Sequence, residues 1–150
     1  MKVFFGGDHA GVELKGKLVE FVRSLGYEVF DFGPKEYDEN DDYPDFVIPV
    51  AQAIRNDSEQ SRGVIIGGSG QGEAIVANRF KRVRATVYYG GDPEIVKISR
   101  EHNDSNILAI GARFASVEEA KRAVELWLKT PFSGDGRHFR RNKKIDELTK

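Results

Sequence analysis

The sequence predicts one α/β domain, a three-layer α/β/α sandwich of Rossmann type with about five parallel strands. Two observations support this fold class. Short apolar runs rich in β-branched residues alternate with segments of helical periodicity along the chain. That alternation is typical of right-handed βαβ units, in which helices cover both faces of a parallel sheet. The second observation is the length of 150 residues, which suits one core, so we assign residues 1–150 to one domain.

The first part of the chain predicts a strand, a helix and a strand in turn. Lys2–Phe5 is an apolar run that ends in two glycines, which is typical of a buried strand. From Val12 to Leu25 the apolar residues recur at helical spacing, and Gly26 ends the predicted helix. Tyr27–Phe32 is rich in aromatic and β-branched residues and predicts the second strand.

The middle of the chain begins with a long acidic loop, "GPKEYDENDDYPD". Phe46–Ile54 then has helical periodicity, although Pro49 inside it opposes a regular helix. Gly63–Ile66 is a short apolar run and predicts the third strand, which a glycine-rich turn connects to a helix over Gly72–Phe80.

The last part continues the alternation of apolar runs and amphipathic segments. It predicts a strand, a helix, a strand and a helix, over Val83–Tyr89, Pro93–His102, Asn106–Ile110 and Val117–Lys129. Ser116 supports the start of the last of these, because serine is a favourable N-cap and two glutamates follow it. Beyond Pro131, the basic segment "RHFRRNKKIDEL" predicts a final helix within a tail of about residues 131–150.

Composition excludes several classes of function. Lys and Arg total 23 against 24 Asp and Glu, so the chain has no general attraction for nucleic acid or an anionic membrane. The absence of cysteine excludes disulfides and thiolate ligands and agrees with a cytoplasmic location. No apolar run approaches the roughly 20 residues of a membrane helix. The histidines lack the i, i+4 spacing of a metal site. We therefore expect no nucleic-acid partner, no membrane association and no metal.

Polar residues follow several of the predicted strands. They are Asp8 and His9, the turn from Ser69 to Glu73, and Arg113. In open α/β sheets ligands bind outside the carboxyl ends of the strands, so these residues are the first candidates for a functional site.

The turn after the third strand has four glycines in the six residues from Gly67 to Gly72. Glycines there let backbone N–H groups converge on an anion, although they also permit tight packing of strand and helix. The dinucleotide fingerprint is absent because Glu73 stands where its third glycine belongs, and no Gly-Lys-Ser/Thr follows. A mononucleotide and a sugar phosphate both remain open as ligands.

Glu73 itself has two explanations. Acidic residues are favoured in the first turn of a helix for electrostatic reasons alone. A carboxylate beside a carbonyl can also act as a general base, and the Ser69 hydroxyl and nearby N–H groups could then stabilise an enediolate. Glu73 directly follows a loop that could hold a ligand, so the sequence alone supports the two explanations about equally.

Other polar residues have similar pairs of explanations. Asp8 could cap a helix, and His102 could lie at a helix C-terminus, where a cation is favoured. A histidine can also open a sugar ring by moving a proton between the ring oxygen and the anomeric hydroxyl. Arg137 and Arg141 share one helix face and match a phosphate, but a solvated basic face is the simpler explanation.

Five motifs together resemble the family of ribose-5-phosphate isomerase type B and galactose-6-phosphate isomerase. They are "GGDHAG", "DYPD", "GVIIGGSGQGEAIVANRF", "SREHNDSNILAIGAR" and "GDGRHFRRN", and they run in order from Lys2 to about Leu148. The resemblance implies reversible aldose–ketose isomerisation of a phosphorylated sugar through a cis-enediolate, without a metal or organic cofactor. It also implies a homodimer, or a dimer of dimers, with shared active sites. The tail 131–150 would complete the phosphate site of its own or a neighbouring subunit.

The resemblance also implies a role for each matched residue. Glu73 would move the proton between C1 and C2, His102 would act in ring opening, and Ser69 would support catalysis. The residues that would contact the sugar are Asp8, His9, Tyr43, Gly68, Gly70, Gln71, Gly72 and Asn103. Those that would hold the phosphate are Arg113, Arg137 and Arg141.

One position departs from many members of the family. They carry a cysteine base at the end of the third strand, where this chain has Gly67. A second branch has glycine there and a glutamate after the turn, and this chain resembles that branch. The expected substrate is ribose 5-phosphate. A six-carbon sugar phosphate, such as allose or galactose 6-phosphate, and a non-catalytic phosphosugar-binding module remain alternatives. The role of the acidic loop 36–42 stays open.

Overall fold

A computed structural model describes residues 1–148 as five strands and six helices. The strands are β1 Lys2–Gly7, β2 Glu28–Asp31, β3 Ser61–Gly67, β4 Ala85–Tyr88 and β5 Ile107–Gly111. The helices are α1 Val12–Ser24, α2 Tyr43–Asn56, α3 Gln71–Ala77, α4 Glu94–Asn103, α5 Val117–Lys129 and α6 Gly136–Leu148. A single 3₁₀ turn, His9–Gly11, joins β1 to α1. The last two residues of the predicted tail, 149–150, lie outside the described residues.

All five strands are parallel and lie in the order β2-β1-β3-β5-β4. Successive strand residues face opposite sides of a sheet, and the core divides accordingly. Val64 and Ile66 of β3 pack with α1, α4 and α5 on one face. Ile65 packs with α2 and α3 on the other face. The predicted α/β/α sandwich with five parallel strands is therefore confirmed.

The strand order defines where a ligand site belongs. β1 lies between β2 and β3, and the helices that follow β1 and β2 cover opposite faces of the sheet. The connection that leaves the carboxyl end of β1 therefore crosses one face of the sheet, and the connection that enters β3 crosses the opposite face. A crevice opens at such a switch point, between the loops that follow the two strands.

Several predicted elements have different bounds in the structure, and α3, for example, ends at Ala77 rather than at Phe80. α2 begins at Tyr43, three residues before the predicted start, so the motif "DYPD" belongs partly to the helix rather than to the acidic loop. Pro44 fits there because proline has a suitable φ and lacks only an N–H that the first turn leaves unpaired. α2 also continues through Pro49. β4 begins at Ala85 rather than at Val83.

Helix α6 is fixed to the edge of the sheet where the strands begin. Asp146 of α6 forms an ion pair with Arg84, which precedes β4, and the Arg84 guanidinium also binds Asp104 at the end of α4. The Asn142 side chain donates a hydrogen bond to the His102 carbonyl oxygen at 3.2 Å. Among residues 1–148, no helix is long and apolar enough to cross a membrane.

Candidate active site

A cavity of about 390 Å³ opens at the carboxyl edge of the sheet, at the crevice between β1 and β3. Its lining residues come from the ends of β1, β3 and β5 and from the start of α2. They are Asp8, Tyr43, Gly68, Ser69, Gly72, Glu73, Arg113 and Phe114. All except Phe114 were predicted site residues, and Phe114 is an exposed aromatic that directly follows Arg113.

Glycines in the turn after β3 make room for the side chains around the cavity. A Cβ on Gly68 would lie 3.2 Å from the guanidinium carbon of Arg113. A Cβ on Gly72 would lie 2.8 Å from the ring of Tyr43 and 2.9 Å from its hydroxyl oxygen. Side chains at 68 and 72 would therefore push Arg113 and Tyr43 away from the turn. Gly70 has φ of 77°, in the region that favours glycine.

Glu73 is the buried carboxylate of this cavity, with only 3% of its surface exposed. It fills the space beside the end of β3, and a Cβ on Gly67 would overlap with its carboxylate. Burial raises the pKa of Glu73, and the negative charge of Asp8 adds to the increase, although a backbone hydrogen bond opposes it. A carboxylate with a raised pKa is a better proton acceptor, as a general base requires.

Ser69 and Asp8 have local partners as well as a place in the cavity. The Ser69 hydroxyl oxygen accepts a hydrogen bond from the Gln71 N–H at 3.3 Å, and its own hydrogen stays available to a ligand. Asp8 accepts a hydrogen bond from the Ala10 N–H at 3.0 Å and so caps the 3₁₀ turn. The structural and the functional explanation of Asp8 are therefore compatible.

His9 lies beside the cavity rather than among its lining residues. Its Nδ1 is 2.7 Å from Oδ1 of Asp41, and the same oxygen accepts a hydrogen bond from the His9 backbone N–H at 3.1 Å. Sequence reasoning missed Asp41, because nothing in the acidic loop distinguishes it from its neighbours. Gly70 and Gln71 also flank the cavity, at the start of α3.

Asp8, His9 and Asp41 are the one cluster in residues 1–148 with the ligand atoms of a potential metal site. One side-chain ligand atom from each lies within 4.8 Å of the other two. The nitrogen and carboxylate oxygens would suit a divalent cation. In the structure, however, His9 Nδ1 already has Asp41 Oδ1 as its partner. The expectation that the protein uses no metal stays a prediction.

The remaining predicted site residues lie at the opposite edge of the sheet. His102 and Asn103 end α4, just before β5 begins, whereas Arg113 follows the end of β5. The five residues of β5 alone separate the two edges by roughly 16 Å. Within one chain, the structure therefore does not bring His102 and Asn103 to the cavity.

Arg137 and Arg141 are exposed residues of α6. This helix contacts His102 at the end of α4. The His102 and His138 rings stack with their centroids 4.1 Å apart. Burial lowers the pKa of His138, and the neighbouring His102 lowers it further. This second group is an exposed basic surface, whereas the first group surrounds a cavity with a buried carboxylate.

The parallel α/β/α sandwich and the pocket at its carboxyl edge define an α/β enzyme with a carboxylate at the switch point of the sheet. A family model described as Ribose/Galactose Isomerase matches residues 3–145. The chain belongs to this ribose/galactose isomerase family, so the resemblance found in the sequence is confirmed.

Individual relatives are similar over most of their lengths. The chain is 40% identical to ribose-5-phosphate isomerase B of Escherichia coli (strain K12), over 98% of this chain and 95% of that protein. It is 39% identical to ribose-5-phosphate isomerase B of Mycobacterium tuberculosis, over 94% of this chain and 85% of that protein.

Solved structures give the same result. Ribose-5-phosphate isomerase B of Mycoplasma genitalium, crystallised with bound ribulose-5-phosphate, has a TM-score of 0.94 at 35% identity. That match covers 98% of this chain and 95% of the other. The Clostridium thermocellum enzyme has a TM-score of 0.91 at 42% identity, over 99% and 97% of the two chains.

Proposed function

We propose that the protein is an aldose–ketose isomerase that interconverts ribose 5-phosphate and ribulose 5-phosphate. The observation that carries the proposal is the buried Glu73 carboxylate, which occupies the space beside Gly67 at the edge of a ligand-sized cavity. The names of the relatives support this substrate. This activity would place the enzyme in the pentose phosphate pathway, and we propose a cytoplasmic location.

Glu73 is the group that moves the proton in this proposal. Its carboxylate takes the proton from C2 of the open-chain aldose, which gives a cis-enediolate, and then returns that proton to C1. The O2 hydroxyl proton passes to O1 as the enediolate becomes the ketose. The Ser69 hydroxyl and the backbone N–H groups of the glycine turn donate hydrogen bonds to the enediolate oxygens. Asp8 and Tyr43 line the same cavity and orient the sugar.

Gly67 explains how this chain does without cysteine. Its Cα faces the Glu73 carboxylate so closely that a side chain at position 67 and the carboxylate cannot occupy the site together. The structure is therefore compatible with the glutamate branch of the family, in which the base follows the glycine turn.

Two subunits form each complete site in our proposal. The cavity holds Glu73 and Arg113 but lacks a second cation for phosphate among its lining residues. The exposed Arg137, Arg141 and His102 lie at the other edge of the sheet and do not line this cavity. Arg137 and Arg141 of the partner subunit would hold the phosphate, and His102 of the partner subunit would open the ring. We propose that the chain is one domain whose C-terminal tail serves the neighbouring site of a homodimer.

A coupled assay of the purified protein tests the proposed function. Ribose 5-phosphate, allose 6-phosphate and galactose 6-phosphate would be compared in the presence of EDTA. We expect the highest kcat/KM with ribose 5-phosphate and no effect of EDTA. A higher kcat/KM with a six-carbon sugar phosphate would identify that sugar, rather than ribose 5-phosphate, as the preferred substrate. Binding of all three without turnover would favour a non-catalytic module.

A further inference from the structure

The acidic loop between β2 and α2 contacts His9 at the active-site edge through Asp41 and Tyr37. The Asp41 Oδ1 accepts a hydrogen bond from the His9 backbone N–H and also lies 2.7 Å from His9 Nδ1. The Asp41 side chain is only 8% exposed. The ring of Tyr37, from the same loop, packs edge-on against the His9 ring with centroids 5.7 Å apart. The loop therefore contacts His9 at three points.

The charges around His9 favour its protonated form. Oδ2 of Asp41 is buried and has no hydrogen-bond partner within residues 1–148. A largely buried carboxylate in which one oxygen has no hydrogen-bond partner is destabilising unless a positive charge lies beside it. His9 is the residue that forms a hydrogen bond with this carboxylate. The hydrogen bond to Asp41 raises the pKa of His9, and the charges of Asp8 and Asp41 act in the same direction. Partial burial and the positive charge of Arg113 oppose this increase.

We propose that Asp41 is a positioning residue that holds His9 as an imidazolium, with Nδ1–H bound and Nε2–H left as a donor to a substrate oxygen. Asp8 connects the pair to the pocket, because it lines the cavity and one of its carboxylate oxygens lies within 4.8 Å of a His9 ring nitrogen and of an Asp41 oxygen. The acidic loop thereby becomes part of the substrate site. This proposal rests on the proposed function for its substrate but not for the Asp41–His9 contact itself.

The pH dependence of the contact follows from the direction of the pKa change. A histidine whose pKa is raised on folding adds stability that is fully present below its unfolded pKa of about 6.5. That contribution is lost as the pH rises through the folded pKa of His9. Binding of a substrate oxygen by Nε2–H should weaken over the same interval.

The first test is a ¹⁵N NMR titration of the histidine rings in the whole protein. The chain has three histidines, so a His9→Gln variant assigns the signals by elimination. We expect His9 to be more than half protonated at pH 6.5 in the wild type. Asp41→Asn should lower the pKa of His9, and Asp41→Glu should restore part of it. A His9 that is mostly neutral at pH 6.5 in the wild type would overturn the proposal even where a variant fails to fold.

Asp38→Asn is the matched control, because the Asp38 carboxylate is exposed in the same loop and, among the described residues, its one contact is a hydrogen bond accepted from the Asn40 N–H. The substitution also keeps the backbone carbonyl that binds the Asp41 N–H. It should leave the pKa of His9 unchanged. An equal shift in both variants would mean that the effect is one of loop charge in general, and it would refute a positioning role for Asp41. A His9 spectrum that changes when EDTA is added to the wild type would assign the cluster to a metal instead.

Kinetics provide the second test. Asp41→Asn should reduce kcat/KM for ribose 5-phosphate by about 10- to 100-fold, as expected for the loss of one charge-assisted hydrogen bond. The reduction should come mainly from KM and should be smaller above the His9 pKa, whereas Asp38→Asn should have no effect. A wild-type protein without turnover would refute the proposed function, and the NMR titration would still decide the Asp41–His9 contact. An Asp41→Asn enzyme with unchanged kcat/KM would refute the role in substrate binding.

Discussion

Replacing Gly67 by alanine should displace the Glu73 carboxylate, which we propose as the catalytic base. The new Cβ would overlap with Oε1 and Cδ of Glu73 and would lie 2.7 Å from Oε2. Real Cβ atoms do not come this close to other heavy atoms, so the Glu73 side chain must move. It is buried beside the end of β3, where interiors are close-packed, and its simplest escape is rotation away from the cavity.

The expected decrease in kcat of Gly67→Ala follows from the loss of the general base. A general base contributes about 10²- to 10⁴-fold to the rate, so kcat of Gly67→Ala should fall by a factor in this range. Overpacking of a filled site should also reduce the free energy of unfolding by about 1–3 kcal/mol. Turnover of ribose 5-phosphate and urea unfolding of the purified variant would measure both quantities.

Gly16 in α1 offers a matched control for the alanine substitution. A Cβ there has nothing within 4 Å, so Gly16→Ala should keep full activity and stabilise the helix by roughly 0.5–1 kcal/mol. If displacement of Glu73 causes the loss, Gly67→Ala combined with Glu73→Gln should be no slower than Glu73→Gln alone. A folded Gly67→Ala protein with kcat within threefold of the wild type would refute this reasoning.

Three further predictions follow from the site. His102→Ala should slow turnover of a cyclic substrate more than that of one already in the open-chain form, and equal losses in an assay of both would contradict a ring-opening role. If two subunits share each site as proposed, mixed and refolded Glu73→Gln and His102→Ala subunits should regain part of the activity that each variant lacks alone, whereas an unshared site predicts no recovery. Because burial raises the pKa of Glu73, the acid limb of kcat/KM should lie above the ordinary carboxyl pKa of about 4.3, and the rate should fall as the pH decreases through that limb. A limb at or below this value would show that another group is titrating.

Much of the fold could be predicted because buried strands and helices require apolar residues at characteristic spacings along the sequence. The runs that became β3 and β5 are apolar on both faces, as a sheet covered by helices requires. The start of α2 was predicted too late, because "DYP" follows acidic residues and a proline usually signals a loop. At the first turn of a helix that proline is favourable, and local sequence cannot distinguish the two cases.

The cavity was predictable in outline for a topological reason. Parallel strands end at the same edge of the sheet, so Asp8, the turn before Glu73 and Arg113 had to meet once the fold class was correct. Asp41 was not predictable, since its contact with His9 joins residues 32 positions apart through a loop without periodicity. The position of His102 at the opposite edge depends on the helix that carries it, which runs back to the start of β5.

The most direct test of the account is the Glu73→Gln variant, which keeps the size of the side chain but removes its ability to accept a proton. Formation of ribulose 5-phosphate by the purified variant would be measured beside calorimetric binding of a non-reacting substrate analogue. We predict that turnover is abolished while the analogue still binds with a Kd close to that of the wild type. Turnover within tenfold of the wild type would contradict the central claim that Glu73 is the base.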